Sequence, residues 1–295
     1  MFLLLKAAKS RVNERAEGTQ TVQAIDLACR AFQRLAVVVL FASIVAPLSA
    51  QAEPTGTPPC KPRQDLIRLS IPLKQVARKL ASGEPITIVA LGSSSTAGAG
   101  ASSSMASYPS QLALELQKQF PGHPIAVLNR GVNGEEVSDM LKRFDSAVIA
   151  AKPDLLLWQL GTNSLIRDHA MNDRGASIRE GVDRARAIGA DVVLIDPQFA
   201  PKVIVKPLAG KMIDFIAAAA KREDIALFRR FEMMKEWTEV EHLPFNSFVI
   251  ADGLHMNDWG YACMAKGLGM AIAEAAQRPV ISAKAAPMPT WDYAD

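Results

Sequence analysis

Beyond residue 63 the chain alternates two hydrophobic rhythms. Short apolar runs stand at 86–91 (ITIVAL), 124–129 (PIAVLN), 154–160 (DLLLWQL), 191–195 (DVVLI) and 225–228 (IALF), without strict polar alternation. Strands of that kind are buried on both faces. Segments with helical spacing lie between and around them, at 64–82, 107–120, 135–150, 173–188, 208–221 and 257–277. Helices joining successive buried strands make right-handed crossovers, so the pattern predicts a single α/β domain with a doubly wound, parallel, five-stranded sheet flanked by helices. Ligands bind such sheets beyond the carboxyl ends of the strands.

The first 52 residues do not fit that pattern. An uncharged apolar run at 35–46 (LAVVVLFASIVA) follows Arg30 and Arg34 and leads through Pro47 to small residues. This is the order of a secretory signal peptide, with cleavage expected near Ala52 and the product periplasmic or secreted. The run falls short of the roughly 20 residues of a spanning helix, so a membrane enters only if the leader stays uncleaved as an anchor. The expected organisation is a signal peptide over 1–52, a proline-rich arm and helix over 53–84, the main α/β domain over 85–277 and an irregular tail over 278–295.

Removing the leader changes the charge. The chain holds 33 Lys and Arg against 30 Asp and Glu, and 1–52 take six basic and three acidic residues with them, leaving 27 of each. That balance offers no cationic footprint for nucleic acid. Cys60 and Cys263 remain after the leader; they could pair in an oxidising compartment or stand as two thiols, and the sequence leaves both open.

Four segments fall where strands or late turns can present chemistry. Leu91–Gly100 (LGSSSTAGAG) follows the first strand; it lacks the lysine of a phosphate loop and the third glycine of a dinucleotide fingerprint, and alone it is a solvated loop. Asn129–Glu136 (NRGVNGEE) ends the second strand and serves equally as a helix-capping turn. Gly161–Ser164 (GTNS) ends the third and is alone an ordinary turn. Asp252 and His255 (DGLH), three apart, can set a carboxylate on one imidazole nitrogen; the plainer alternative is a helix start capped by Asn257. His123, His169 and His242 are scattered and carry no metal-ligand spacing.

In their order along the chain, G-x-S, N-x-G-x-x-G, G-T-N and D-G-L-H resemble the SGNH hydrolases, the GDSL-type lipases and esterases. The resemblance runs from about Pro85 to Ala275. It implies a flavodoxin-like three-layer α/β/α fold and ester hydrolysis without cofactor or metal. It implies Ser94 as nucleophile, His255 as general base, Asp252 as its orienting carboxylate, and an oxyanion hole from Ser94, Gly134 and Asn163. Two positions depart from the family pattern: Ser93 stands where aspartate is usual, and Ser164 where G-T-N-D is common. The expected substrate is a small-molecule or polysaccharide ester. Two alternatives remain: a non-catalytic glycan-binding or envelope-assembly protein on the same fold, and an acyltransferase to polysaccharide.

Overall fold

A computed structural model describes residues 57–169 and 174–279, all within the unit Gly56–Asp295. The signal-peptide region at 1–52, with its cleavage site, and nearly all of the tail expected at 278–295 lie outside the described residues.

Five strands form the sheet: β1 Ile86–Gly92, β2 Ile125–Gly131, β3 Leu155–Gln159, β4 Asp191–Ile195 and β5 Ala226–Phe228. All neighbours run parallel, in the order β2-β1-β3-β4-β5. β1 and β3 are buried almost throughout, as runs without polar alternation require when both faces are covered. The main helices are α1 Lys74–Ser82, α2 Tyr108–Gln119, α3 Val137–Lys142, α4 Arg174–Ala187, α5 Ala209–Arg222, α6 Arg230–Glu239 and α7 Asp258–Gln277. α2 packs along α7 and over β2, while α4 packs on β4 and α5 on β5, with α3 against α4. Leu112 and Leu116 of α2 are fully buried, each contributing about 1.5–3 kcal/mol of burial energy.

Two helical stretches are more broken than their spacing predicts. Residues 64–82 divide into a turn at Gln64–Ile67 and then α1, whose first turn is capped from far away: Asp191 Oδ2 accepts from the N–H groups of Gln75 and Val76, at 2.9 and 3.0 Å. Residues 135–150 divide into α3, a turn at Phe144–Ala147 and a 3-10 turn at Ile149–Ala151. Cys60 and Cys263 are joined as a disulfide with Cα atoms 5.5 Å apart, which fastens the proline-rich arm to α7. Trp259 Nε1 donating to Pro58 O and Lys266 Nζ donating to Cys60 O hold the same arm.

Strand order reverses between β1 and β3, whose carboxyl ends therefore open a crevice beneath diverging connections.

Candidate active site

Ser94 opens a one-turn helix, Ser94–Ala97, directly after β1. The turn folds back so tightly that a Cβ on Gly92 would stand 2.1 Å from Thr96 Oγ1. Gly131, paired with Gly92 at the end of β2, is equally confined, since a Cβ there would lie 2.1 Å from Ala97 N. Glycine is needed at both for close approach. Ser93 is buried, and both its N–H and its hydroxyl donate to Gln159 Oε1, at 3.0 and 3.1 Å. At the position where the SGNH resemblance implies aspartate, this chain has a serine and ties the turn to β3 through a glutamine. Thr96 Oγ1 donates to the same oxygen at 3.3 Å.

The loop Asp252–His255 comes to Ser94 from the other end of the chain. Gly253, at φ 68°, turns it, and Asp252 Oδ1 accepts from the N–H groups of Leu254 and His255 at 2.8 and 2.9 Å. Asp252 Oδ2 faces His255 Nδ1 at 2.5 Å, and His255 Nε2 meets Ser94 Oγ at 2.7 Å. A carboxylate accepts only, so Nδ1 is assigned the proton and Nε2 is left as acceptor for the serine hydroxyl. Burial works against ionising Asp252, but donation from the His255 side chain and from the backbone N–H groups of His255 and Leu254 outweighs it and holds the carboxyl below its ordinary range.

Gly134 sits at φ 79° in the turn after β2, and Asn163 lies in a one-turn helix, Thr162–Ile166, after β3. Asn163 Nδ2 donates to Glu135 O at 2.8 Å, which fastens this side chain to the Gly134–Glu135 turn. Ser164 donates to Glu136 at 2.6 Å, and Arg167 and His169 reach the same carboxylate at 2.9 and 2.8 Å. The structure thus draws Ser94, His255 and Asp252 into one line and joins Asn163 to the Gly134 turn; among the described residues no hydrogen bond links Gly134 or Asn163 to Ser94.

The glycine-rich exit reads from composition as flexible, yet it is tied down. Tyr261 donates to Ala99 O, Asp258 accepts from the N–H and hydroxyl of Ser102, and a Cβ on Gly100 would stand 3.0 Å from His255 Cβ. Trp158 and Tyr108 belong to the core, both fully buried. Of the other histidines, His123 Nε2 pairs with Glu84 O, His169 is exposed beside Glu136, and His242 occupies a positive-φ turn.

Among the buried polar residues that escaped the sequence reading are Gln159, Gln198 and Arg230. Gln159 left a signal, a lone amide in an otherwise apolar strand. Gln198, three residues past β4, left only its place at a strand's carboxyl end. Arg230 left none.

A parallel sheet of this order, with a serine turn at its switch point, is the architecture that the resemblance to the SGNH hydrolases implies. The chain belongs to the non-GDSL lipase-like family, whose model matches residues 59–278. No curated protein matches it. Among solved structures it is similar to a two-domain esterase active on acetylated mannans, at 18% identity and TM-score 0.61, covering 71% of this chain and 54% of that one. It thus spans about half the length of that protein. It is also similar to an acetylxylan esterase from Geobacillus stearothermophilus, at 19% identity and TM-score 0.56, covering 63% of this chain and 94% of that one. At these identities the likeness is one of fold.

Proposed function

We propose that the protein is an exported serine esterase that hydrolyses acyl esters, acetyl esters above all, through an acyl-enzyme on Ser94. What carries this reading is the unbroken line from Asp252 Oδ2 through His255 to Ser94 Oγ, with contacts of 2.5 and 2.7 Å. His255 Nε2 takes the hydroxyl proton as Ser94 Oγ attacks the ester carbonyl carbon, and the Asp252 carboxylate stabilises the imidazolium. The oxyanion is received by the Ser94 N–H, free of an intrahelical partner at the start of its turn, by the Gly134 N–H, and by the Asn163 amide hydrogen not given to Glu135. His255 then returns the proton to the departing alcohol. A water deprotonated by the same nitrogen attacks the acyl carbon and releases the acid.

Acetylated polysaccharide is the substrate class this reading favours, because the similar folds include esterases named for acetylated mannans and acetylxylan. Export is supported by the apolar run at 35–46 and by the Cys60–Cys263 disulfide, which persists in oxidising compartments. A serine at 93 in place of aspartate is the departure that would favour a non-catalytic protein; with Ser93 bonded twice to Gln159, the turn that carries Ser94 keeps its anchor.

An organophosphonate probe is expected to label the protein and to leave Ser94→Ala unlabelled. Turnover of p-nitrophenyl acetate should be lost in His255→Ala. Equal labelling of the serine variant, or undiminished turnover in the histidine variant, refutes the assignment. A panel running from acetylated sugars to long acyl esters, with a sugar acceptor present, separates hydrolysis from acyl transfer and sets the acyl length.

A further inference from the structure

Gln198 is 1% exposed and sits between the two halves of the site. Its Oε1 accepts from Thr162 Oγ1 at 3.0 Å and from Arg230 Nη2 at 2.9 Å, while its Nε2 donates to Leu254 O at 3.2 Å. Thr162 immediately precedes Asn163, and Leu254 immediately precedes His255. One buried amide therefore spans from the turn bearing Asn163 to the loop bearing the histidine.

Its orientation is determined by its neighbours. Arginine donates and never accepts, so the oxygen of Gln198 must face Arg230; the amide nitrogen is then left for the Leu254 carbonyl, which only accepts. Arg230 is itself fully buried at the start of α6 and fixed by donating from Nε to Asp196 O at 2.9 Å. The clamp ends on a single peptide group. Leu254 C=O is held by Gln198, and the N–H of the same peptide, that of His255, is held by Asp252 Oδ1. With both ends bonded, the peptide plane cannot rotate without breaking a partly buried hydrogen bond, and the imidazole it carries is aimed at Ser94.

We propose that Gln198, anchored by Arg230, is a positioning residue that holds His255 and the Asn163 turn in register across the crevice. The proposal rests on the reading of Ser94 and His255 given above. Nothing about Gln198 touches the ester; it acts through the backbone of Leu254 and through Thr162.

Gln198→Glu tests it. A carboxylate keeps the acceptor for Thr162 and Arg230 but turns an oxygen on the Leu254 carbonyl, replacing a bond with a repulsion. The disulfide-bonded protein is assayed on p-nitrophenyl acetate, with active sites titrated by the organophosphonate so that kcat is expressed per competent site. Displacement of a catalytic group by about 1 Å costs on the order of a hundredfold. The expected result is a fall in kcat per titrated site of at least about tenfold, KM staying within about threefold. A merely structural role would reduce the number of titratable sites and the thermal midpoint while leaving kcat per site at the wild-type value, and that result overturns the proposal. Should Gln198→Glu fail to fold, Thr162→Val carries the test: a fall of about threefold or more supports the clamp, and wild-type turnover per site overturns it. Ser94→Ala and His255→Ala run alongside. If they retain activity, the catalytic reading fails; if they are inactive while Gln198→Glu matches wild type, only the positioning role fails.

Discussion

Replacing Gly131 by alanine perturbs the site through a single added methyl group. Gly131 lies outside the left-handed region, so its backbone suits any residue, and the whole effect is steric. The new Cβ would stand 2.1 Å from Ala97 N, 2.6 Å from Thr96 C and 2.7 Å from Ala97 Cα. All three are backbone atoms of the helical turn that Ser94 opens, and no flexible side chain can yield in their place. To restore an ordinary contact of 3.4 Å, strand end and turn must part by roughly 1.3 Å. Two contacts resist that movement: Val132 N donates to Gly92 O at 3.0 Å, and Gln159 grips Ser93. A shift of this size at Ser94 exceeds the tolerance of the 2.7 Å contact with His255. We expect Gly131→Ala to lose on the order of a hundredfold in kcat on p-nitrophenyl acetate, with overpacking costing about 1–3 kcal/mol of stability. Thermal melts and phosphonate labelling rates read the two effects separately. Gly210→Ala, where a Cβ meets nothing within 4 Å at the start of α5, serves as the control and should be neutral to slightly stabilising. Turnover of Gly131→Ala within about threefold of wild type would refute the idea that this contact seats the Ser94 turn.

Three further outcomes follow from the same contacts. Asn163→Ala should lower kcat by about a hundredfold to a thousandfold if its amide meets the oxyanion, a role that a loss below about tenfold would contradict. Cys60→Ser with Cys263→Ser opens a crosslink between residues 203 positions apart, and urea unfolding should show a loss approaching about 5 kcal/mol from restored chain entropy; a loss under about 1 kcal/mol would mean that the arm is held without the bond. Burial pushes the Asp196 carboxyl up to about 7 from 3.8, so the folded state binds the extra proton between those values. That contribution is complete below the lower value and is lost as pH rises through about 7; Asp196→Asn should accordingly flatten the decline of the thermal midpoint between pH 4 and 7, and an unchanged slope would count against it.

Much of the frame was legible because it depends on local pattern. The apolar runs at 86–91 and 154–160 became β1 and β3, since a strand covered on both faces has no alternative to continuous hydrophobicity. Helix α7 began where Asn257 could cap it, its side chain accepting from Gly260 N. The break at 68–73 had one local signal, Pro72, which removes a helix donor and disfavours helical backbone at Ile71, whereas the break around 143 had none. The start of α1 is capped by Asp191, more than a hundred residues away, and no local propensity encodes that. Gln159 and Gln198 were missed for the same reason: a polar residue in or just past a buried strand states that a partner exists without naming it. Ser93 looked like a defect until Gln159 was found opposite it.

The sequence by itself determined the layer architecture and the order in which serine, glycine, asparagine and histidine segments arrive at strand ends, because periodicity and turn chemistry act over a few residues. Tertiary structure alone decided that Ser94 and His255, 161 positions apart, stand 2.7 Å from one another. It also decided that the two cysteines are bonded and that an amide on Gln198 bridges the crevice. Those are distances between segments remote in the chain, set only when the packed sheet fixes where each strand ends.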